Sequence, residues 1–222
     1  MKLDFWKQVW KEQRLGFDQG ETNYYLKKVL PSWLSESYET IFVPLCGRSV
    51  DMWEIHRAGH HVTGVEFCEG ALLDFDKKFS LNLEKISVRE SVDCFRNLDF
   101  KLYCADFFNL NAADIKKRKG SLKIWDRAAL VALPPDMRFA YYDQVDELNI
   151  DRLDWLCLLF SFDAEPDFGP PFPVDFEEVH KIMTKKGYCV EIVEERSLRP
   201  QNPKFIEAGI HDFKETLIRV YG

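Results

Sequence analysis

Residues 40–66 read TIFVPLCGRSVDMWEIHRAGHHVTGVE, and their pattern is the clearest indication of the fold class. An apolar segment at Thr40–Pro44 is followed by a tight turn with a glycine at position 47, an amphipathic segment and a second apolar segment at His61–Glu66. A strand, a turn, a helix and a strand in this order are typical of a βαβ unit. We therefore expect two parallel strands that are joined by a helix.

The same alternation of apolar and amphipathic segments continues to the end of the sequence. The predicted strands are Thr40–Pro44, His61–Glu66, Phe100–Cys104, Leu122–Trp125, Trp155–Phe162, Cys189–Glu195 and Glu215–Tyr221. The predicted helices are Val50–Ala58, Glu69–Phe79, Asp136–Leu148 and Phe176–Lys185. This pattern predicts an α/β fold of the Rossmann-like class, with a doubly wound, mainly parallel, seven-stranded sheet flanked by helices.

Three segments do not follow the alternation. Residues 4–30 are rich in aromatic residues and have helical spacing, which indicates an N-terminal helical and aromatic cap. Residues 80–98 lack clear periodicity, and residues 165–173 are rich in proline and glycine, so we interpret both as loops near the ligand face. A chain of 222 residues without a visible linker fits one domain over 1–222, with the cap at 1–39 and the core at 40–222.

Composition excludes several classes of function. The formal net charge is −7 and the sequence has no long basic block, so nucleic acid is not the expected partner. There is no apolar stretch of 18 residues and no signal-peptide pattern at the N-terminus, which predicts a cytoplasmic protein without a membrane contact. Scattered cysteines and only one close histidine pair predict neither a metal site nor disulfides. We expect a monomer, because no exposed heptad pattern occurs.

The spacing between Gly47 and Glu66 indicates a cofactor that contains a ribose. An acidic residue about 20 positions after the glycine turn of a βαβ unit accepts hydrogen bonds from ribose hydroxyls. A pyrophosphate needs a glycine-rich loop, and this turn has a single glycine, which favours an adenosyl cofactor without phosphate over a nicotinamide dinucleotide. The spacing alone leaves open that Gly47 is only a turn residue and Glu66 a solvated strand end.

Short motifs along nearly the whole chain sharpen this prediction. They are Phe5-Trp6 with Trp10, Gly16-Phe17, VPLCGRSVDM at 43–52, Gly64-Val65-Glu66, LYCADFF at 102–108, WDRAALVALP at 125–134, Gly169-Pro170-Pro171-Phe172 and Asn202-Pro203-Lys204-Phe205. In this order they resemble the thiopurine S-methyltransferase family. The resemblance implies S-adenosylmethionine as the cofactor and S-adenosylhomocysteine as the product.

The resemblance also implies roles for individual residues. The residues implied for the cofactor are Trp6, Trp10, Leu45, Gly47, Glu66, Asp106, Phe107 and Arg127. Those expected to contact the substrate are Phe17, Tyr24 and Phe172. These residues also have structural explanations that involve no ligand. A tryptophan on an amphipathic helix usually packs in a core, and Arg127 is also a candidate ion-pair partner of Asp126.

Catalysis requires little from the protein in such an enzyme, because alignment of the reactants supplies much of the rate. Asp18 is our candidate proton acceptor, and Arg127 is the candidate that stabilises an anionic nucleophile. Asp18 stands where many family members carry histidine, and Tyr24-Tyr25 replaces a segment that is often Asn/Pro-like. Both departures lie in the predicted cap, so the resemblance constrains the identity of the methyl acceptor less than that of the cofactor.

The predicted function is transfer of a methyl group to the sulfur of a small aromatic or heterocyclic thiol. Three alternatives remain at this point. The first is methylation of a small soft nucleophile, such as a selenium or tellurium species, hydrosulfide or a halide. The second is a nicotinamide-dependent oxidoreductase, which would share the βαβ unit. The third is a cofactor-binding module that has lost turnover.

Overall fold

The computed structural model describes residues 3–12, 16–34, 39–115, 122–148, 152–165, 168–200 and 202–222. The chain forms two compact units, an N-terminal unit over Lys2–Leu122 and a C-terminal unit over Lys123–Gly222. The prediction of a single domain stays a prediction. In the described part of the chain, every helix is too short or too polar to cross a membrane.

The N-terminal unit combines two helices of the cap with a five-stranded array. Its helices are α1 (Leu3–Lys11), α2 (Tyr24–Trp33), α3 (Val50–Arg57) and α4 (Glu69–Phe79). Its strands are β1 (Thr40–Val43), β2 (His61–Glu66), β3 (Glu84–Arg89), β4 (Val92–Arg96) and β5 (Phe100–Cys104). The strand order is β3-β4-β5-β2-β1, with β2 parallel to both β1 and β5. The expected βαβ unit is therefore present.

Local sequence sets where the helices of this unit begin. The side chain of Asn23 accepts a hydrogen bond from the amide of Tyr25 across 2.9 Å and caps α2. Ser49 caps α3 in the same way through the amide of Asp51. Such caps satisfy amide groups that have no partner inside the helix. The cap at Ser49 thus fixes where α3 begins, directly after the turn that follows β1.

Residues 80–98 were expected to be a loop, and this expectation is wrong. They contain β3 and β4, which pair antiparallel as a hairpin, and β4 pairs antiparallel with β5. Strand β3 lies at the edge of the array and is mostly exposed, and its two apolar residues, Ile86 and Val88, are separated by Ser87 and form no apolar run. A strand of this kind is hard to detect from hydrophobic periodicity.

The C-terminal unit is largely antiparallel. Its strands are β6 (Leu122–Asp126), which begins at the boundary, β7 (Leu153–Ser161), β8 (Cys189–Leu198) and β9 (Phe213–Tyr221). Its helices are α5 (Pro135–Leu148), α6 (Phe176–Lys185) and α7 (Pro203–Glu207). Strand β9 lies between β7 and β8 and is antiparallel to both. The long strands β7 and β9 carry much of the buried apolar surface of this unit.

The expected number of strands and their direction both need correction. The described residues contain nine strands instead of seven, and four of the six described pairings are antiparallel, so the sheet is mixed and not mainly parallel. All seven predicted strands exist, with ends that differ by at most three residues. Apolar runs identify a strand, but its direction depends on the connection that brings it beside its neighbour.

Candidate cofactor site

The turn after β1 contains two residues with left-handed backbone. Leu45 has a φ of 44° and Gly47 has a φ of 53°. The amide of Cys46 donates a hydrogen bond to the carbonyl of Val65 across 2.8 Å, which ties the turn to β2. Left-handed backbone costs little for glycine but is unfavourable for leucine, and such outliers concentrate at functional sites. Both predicted turn residues therefore lie in a locally strained segment.

Glu66 is the buried acid of this unit. Its residue exposure is 4%, and its carboxylate accepts hydrogen bonds from the amides of Gly47 at 3.1 Å and Cys68 at 2.8 Å. Burial raises the pKa of Glu66 to about 7, and the hydrogen bonds from backbone amides oppose this shift. The alternative in which Glu66 is a solvated strand end is wrong. A buried carboxylate with a raised pKa is a typical mark of a binding site.

Gly64 allows the turn and β2 to approach closely. A Cβ atom at this position would lie 2.8 Å from the Sγ of Cys46 and 3.1 Å from the Cδ2 of Leu102. Any larger residue would therefore push the turn away from β2 or displace β5. The signal for this role is present in the sequence, because a glycine inside an apolar strand is a known sign of close backbone approach.

The predicted aromatic cap contacts this turn. A Cβ atom at Gly47 would lie 3.3 Å from the Cζ2 of Trp10, so the indole packs on the glycine. Phe17 meets both tryptophans of α1 edge to face, with ring centroids 5.7 Å from Trp6 and 5.5 Å from Trp10. Edge-to-face pairs at these distances are favourable. Trp6, Trp10, Phe17 and Gly47 are thus one contiguous cluster.

Asp18 forms an ion pair beside this cluster. Its Oδ2 accepts a hydrogen bond from the Nε of Arg48 across 2.7 Å. Arg48 also donates through Nη1 to the Oδ2 of Asp74 in α4, again at 2.7 Å. The guanidinium carbon of Arg48 lies 5.8 Å from the centre of the Trp10 ring. A role of Asp18 as proton acceptor would compete with this ion pair.

Asp106 and Phe107 differ in their surroundings. The carboxylate of Asp106 accepts a hydrogen bond from the amide of Phe108 across 3.1 Å and begins a short 3₁₀ turn after β5. The side chain of Phe107 is buried, and its ring stacks on Phe42 of β1 with centroids 6.3 Å apart. The Phe107 ring therefore belongs to the core of this unit, whereas Asp106 is half-buried.

Two tyrosines begin α2. Tyr24 is 47% exposed, whereas Tyr25 is fully buried. Their rings meet edge to face with centroids 5.2 Å apart. Of this pair, Tyr24 is the side chain with surface available for a substrate, and Tyr25 packs in the core.

The end of β6 places Arg127 beside a buried carboxylate. Asp126 is 1% exposed, and its carboxylate accepts hydrogen bonds from the Tyr141 hydroxyl at 2.7 Å and from the amides of Ala129 and Leu130. Burial raises the pKa of Asp126 above its ordinary value. These contacts order the segment that follows β6, where Arg127 is half-buried. Asp126 thus supports the backbone next to Arg127.

The segment with Phe172 is fixed by main-chain and side-chain contacts inside the C-terminal unit. The Phe172 amide donates to the carbonyl of Val131 across 2.7 Å. The Phe172 ring lies so close to Gly169 that a Cβ atom there would be 2.3 Å from it. Arg138 is buried and donates to the carbonyl of Pro173 across 2.7 Å. The peptide bonds before Pro170 and Pro171 are cis.

Lys204, in the motif Asn202-Pro203-Lys204-Phe205, links two parts of the C-terminal unit. Its Nζ donates to the carbonyl of Pro170 across 2.7 Å and lies 4.7 Å from the centre of the Phe168 ring. Phe168 is part of an aromatic cluster of the C-terminal unit that comprises Phe160, Phe162, Phe168, Phe205 and Phe213. A lysine that bridges a proline-rich segment and an aromatic cluster is not visible as a pattern in the sequence.

The described residues contain no group of three His, Cys, Asp or Glu side chains that could hold a metal ion. All six cysteines are free thiols. Burial raises the pKa of Cys46 well above its ordinary value, so this thiol is protonated at neutral pH.

Known proteins that are similar in sequence to this chain include several named thiopurine S-methyltransferase. A family model described as thiopurine S-methyltransferase (TPMT) matches residues 1–222. A thiopurine S-methyltransferase of Marinobacter nauticus is 35% identical over 214 residues, which cover 96% of this chain and 94% of that protein. One of Pseudomonas fluorescens is 32% identical over 222 residues and covers 100% of both chains.

Solved structures agree at the level of the fold. A SAM-dependent methyltransferase from Anabaena variabilis has a TM-score of 0.62 at 12% identity and covers 99% of this chain and 94% of that chain. The 1,6-didemethyltoxoflavin-N1-methyltransferase of Burkholderia thailandensis, with bound 1,6-didemethyltoxoflavin and S-adenosylhomocysteine, has a TM-score of 0.61 at 13% identity and covers 97% and 85%. The predicted Rossmann-like α/β class is confirmed, with the corrections to strand number and direction given above.

The match over every residue confirms the resemblance that the motifs indicated. It favours S-adenosylmethionine over a nicotinamide cofactor, in agreement with the single glycine of the turn. The chain belongs to the thiopurine S-methyltransferase family and is an S-adenosylmethionine-dependent methyltransferase.

Proposed function

We propose that the enzyme transfers a methyl group to the sulfur of a small aromatic or heterocyclic thiol. The observation that carries this proposal is the pairing of the buried Glu66 with the turn at Gly47, directly beneath the Trp10 ring. It combines an acceptor for ribose hydroxyls with an aromatic cap. The names of the relatives, thiopurine S-methyltransferase, support a sulfur acceptor of this class.

The residues around Glu66 fit an adenosyl cofactor. A carboxylate offers about four acceptor sites, and backbone amides use two or three of them here, so at least one remains for a hydroxyl donor. We propose that Glu66 binds the ribose and that Leu45 and Gly47 line the cofactor through their backbone. Asp106 is our proposed contact for the adenine. For Phe107, whose ring is buried, we propose only a supporting role.

When bound, S-adenosylmethionine supplies a methyl group for in-line transfer to the acceptor sulfur, with the positively charged cofactor sulfur as the leaving group. The chain's contribution is to orient the acceptor and exclude water. We propose that Trp6, Trp10 and Phe17 do both, because their rings offer flat faces to an aromatic acceptor and π density to a sulfonium. The acceptor reacts as its thiolate, and the thiol proton goes to water.

Arg127 is the proposed cationic group for the thiolate. Its position directly after β6, on backbone that Asp126 orders, supports this role. We expect Arg127→Ala to lower the rate with an aryl thiol at saturating cofactor by roughly 100-fold, as for loss of one electrostatic contact to a reacting group. Arg152→Ala is the control, because Arg152 is exposed and lies before β7. Equal rates in both variants would remove Arg127 from the proposal.

Phe172 and Tyr24 are the proposed contacts for the acceptor, together with Phe17. Phe172 is half-buried and held through its amide, and Tyr24 exposes about half of its surface. Side chains that are ordered and yet retain accessible aromatic surface suit a flat ligand.

A thermal-shift screen followed by a methyl-transfer assay tests the proposal. S-Adenosylhomocysteine should raise the melting temperature, and NADH should not. Labelled S-adenosylmethionine is then offered with a thiopurine, thiophenol, hydrosulfide, iodide and selenium or tellurium species. Preference for the aromatic thiols supports the proposal. Preference for iodide, hydrosulfide or the metalloid species would replace it, and cofactor binding without any transfer would favour a binding module.

A further inference from the structure

Arg48 connects three separate parts of the N-terminal unit. Its Nε donates to Asp18 in the segment after α1, and its Nη1 donates to Asp74 in α4, each across 2.7 Å. Its guanidinium also faces the Trp10 ring of α1, with 5.8 Å between the guanidinium carbon and the ring centre. Arg48 directly follows Gly47 in the sequence and therefore belongs to the turn after β1. The Arg48 side chain thus links the cofactor turn to the cap and to α4.

The exposure of the three side chains indicates where the ion pairs are strong. Asp18 is 17% exposed and Arg48 27%, whereas Asp74 is 51% exposed. The hydrogen bond that Arg48 donates to Asp18 is the largest cause that raises the pKa of Arg48. Partly buried pairs are less screened by salt than exposed ones. The ion pair between Arg48 and Asp18 is therefore the stronger of the two, and the pair with Asp74 connects Arg48 to helix α4.

We propose that Arg48 is a positioning residue, which holds the aromatic cap over the cofactor turn through a clamp formed by Asp18, Arg48 and Asp74. In this role Asp18 is an anchor of the cap and not a proton acceptor. The proposal rests on the proposed function only in that the turn at Gly47 binds the cofactor. It adds that cap closure weakens as ionic strength rises, because charge pairs form the clamp.

The geometry explains why arginine suits this position. A guanidinium is planar and carries five donors, so it can serve two carboxylates and face an aromatic ring at the same time. A lysine retains the charge but has one nitrogen and no planar face. Replacement by lysine should therefore weaken the clamp without abolishing it, whereas methionine removes every polar contact of the side chain and keeps an unbranched apolar stem.

Hydrogen exchange of the cofactor-free enzyme tests the clamp directly. In Arg48→Met we expect amide exchange over residues 3–12 and 16–20 to become about two- to fivefold faster, as expected for loss of partly exposed ion pairs. Exchange in β2 should stay unchanged, and Arg48→Lys should lie between the parent and Arg48→Met. Arg57→Met is the matched control, because the largely exposed Arg57 pairs with Glu54 of its own helix, α3.

Salt and a second variant make the test specific. Raising the NaCl concentration should speed exchange of the cap in the parent but have little further effect in Arg48→Met. Asp18→Asn should reproduce the effect of Arg48→Met, and the double variant should add little to either change. Asp18→Asn also serves if Arg48→Met does not fold.

Kinetics separate positioning from a purely structural role. Arg48→Met should raise the KM for the thiol, with the excess over the parent shrinking at high salt, and Arg48→Lys should restore part of it. Unchanged cap exchange in both Arg48→Met and Asp18→Asn would overturn the proposal. Because the exchange measurement needs neither cofactor nor acceptor, failure of the clamp is distinct from failure of the proposed function, which would appear as absence of stabilisation by S-adenosylhomocysteine.

Discussion

The carboxylate of Glu66 accepts a hydrogen bond from the amide of Gly47, nineteen residues earlier in the chain, across 3.1 Å. This contact joins the end of β2 to the turn after β1 and places a buried carboxylate beside the backbone that we propose lines the cofactor. Because burial raises the pKa of Glu66 to about 7, the protonation of this one residue changes near neutral pH. Two of the predictions that follow depend on it.

Cofactor affinity should depend on pH through Glu66. The ionised carboxylate is the stronger acceptor for ribose hydroxyls. Below a pKa of about 7, the ionised fraction falls about tenfold for each pH unit. Calorimetric titration with S-adenosylhomocysteine from pH 5.5 to 8 should therefore show weaker binding at the acidic end. In Glu66→Gln, affinity should be lower throughout and nearly independent of pH over this range, and a parent curve without slope would contradict the prediction.

The stability of the cofactor-free enzyme should change with pH in the opposite sense. The pKa of Glu66 is higher in the folded protein, about 7, than its ordinary value of 4.5, so the folded state favours the protonated form. The stabilisation is fully present below pH 4.5 and is lost as the pH rises to about 7. At 1.36 kcal/mol per pKa unit, the loss is on the order of 3 kcal/mol.

Urea unfolding of the parent and of Glu66→Gln at pH 5 and pH 8 measures this loss. The difference between the two proteins in the free energy of unfolding should shift in favour of the variant at pH 8, since glutamine carries no charge to bury. A difference that is the same at both pH values would show that Glu66 does not titrate in this window.

Gly47→Ala should affect both stability and cofactor binding. An alanine at a φ of 53° adopts left-handed backbone, which costs about 1 kcal/mol, and its Cβ would press on the Trp10 ring at 3.3 Å. We expect a lower melting temperature and a KM for S-adenosylmethionine raised by about tenfold, equivalent to about 1.4 kcal/mol. Gly59→Ala is the matched control, because Gly59 also has positive φ, at 92°, but has no atom within 4 Å of the added Cβ. It should lose stability and keep its KM.

Gly169→Ala should act on the acceptor and not on the cofactor. Its Cβ would lie 2.3 Å from the Phe172 ring, so the ring must move. If Phe172 contacts the acceptor, the KM for an aryl thiol should rise by about tenfold or more, since displacement by even 1 Å is costly at a reacting site. Binding of S-adenosylhomocysteine should not change. Gly187→Ala, which has open space around the added Cβ, should match the parent in acceptor KM; a rise there would point to a general loss of stability.

The apolar strands and the helices between them were predictable because their residues are buried along regular faces. Helices α4 and α6 have the bounds that periodicity predicts, Glu69–Phe79 and Phe176–Lys185. Strand β3 was missed because an edge strand with exposed side chains has no apolar run. The antiparallel arrangement of β7, β8 and β9 was missed because apolar runs do not record direction.

The candidate site, like the fold, was predictable from the sequence only in part. The spacing of Gly47 and Glu66 and the family motifs indicated the cofactor, because one turn and one strand end lie close together in any βαβ unit. The ion pairs of Arg48 and the contact of Lys204 with Pro170 were not predictable, since each joins residues that are 26 to 34 positions apart. Periodicity within one element carries no information about such contacts.

The α/β class, the family and the use of S-adenosylmethionine follow from the amino-acid sequence, because local hydrophobic patterns and short motifs encode them. Three features depend on the tertiary structure: the burial of Glu66, which raises its pKa to about 7, the place of Phe107 in the core and the ion pair of Asp18 with Arg48. The physical reason is that burial and charge pairing depend on what surrounds a side chain in space. Those surroundings exist only when distant segments of the chain have packed together.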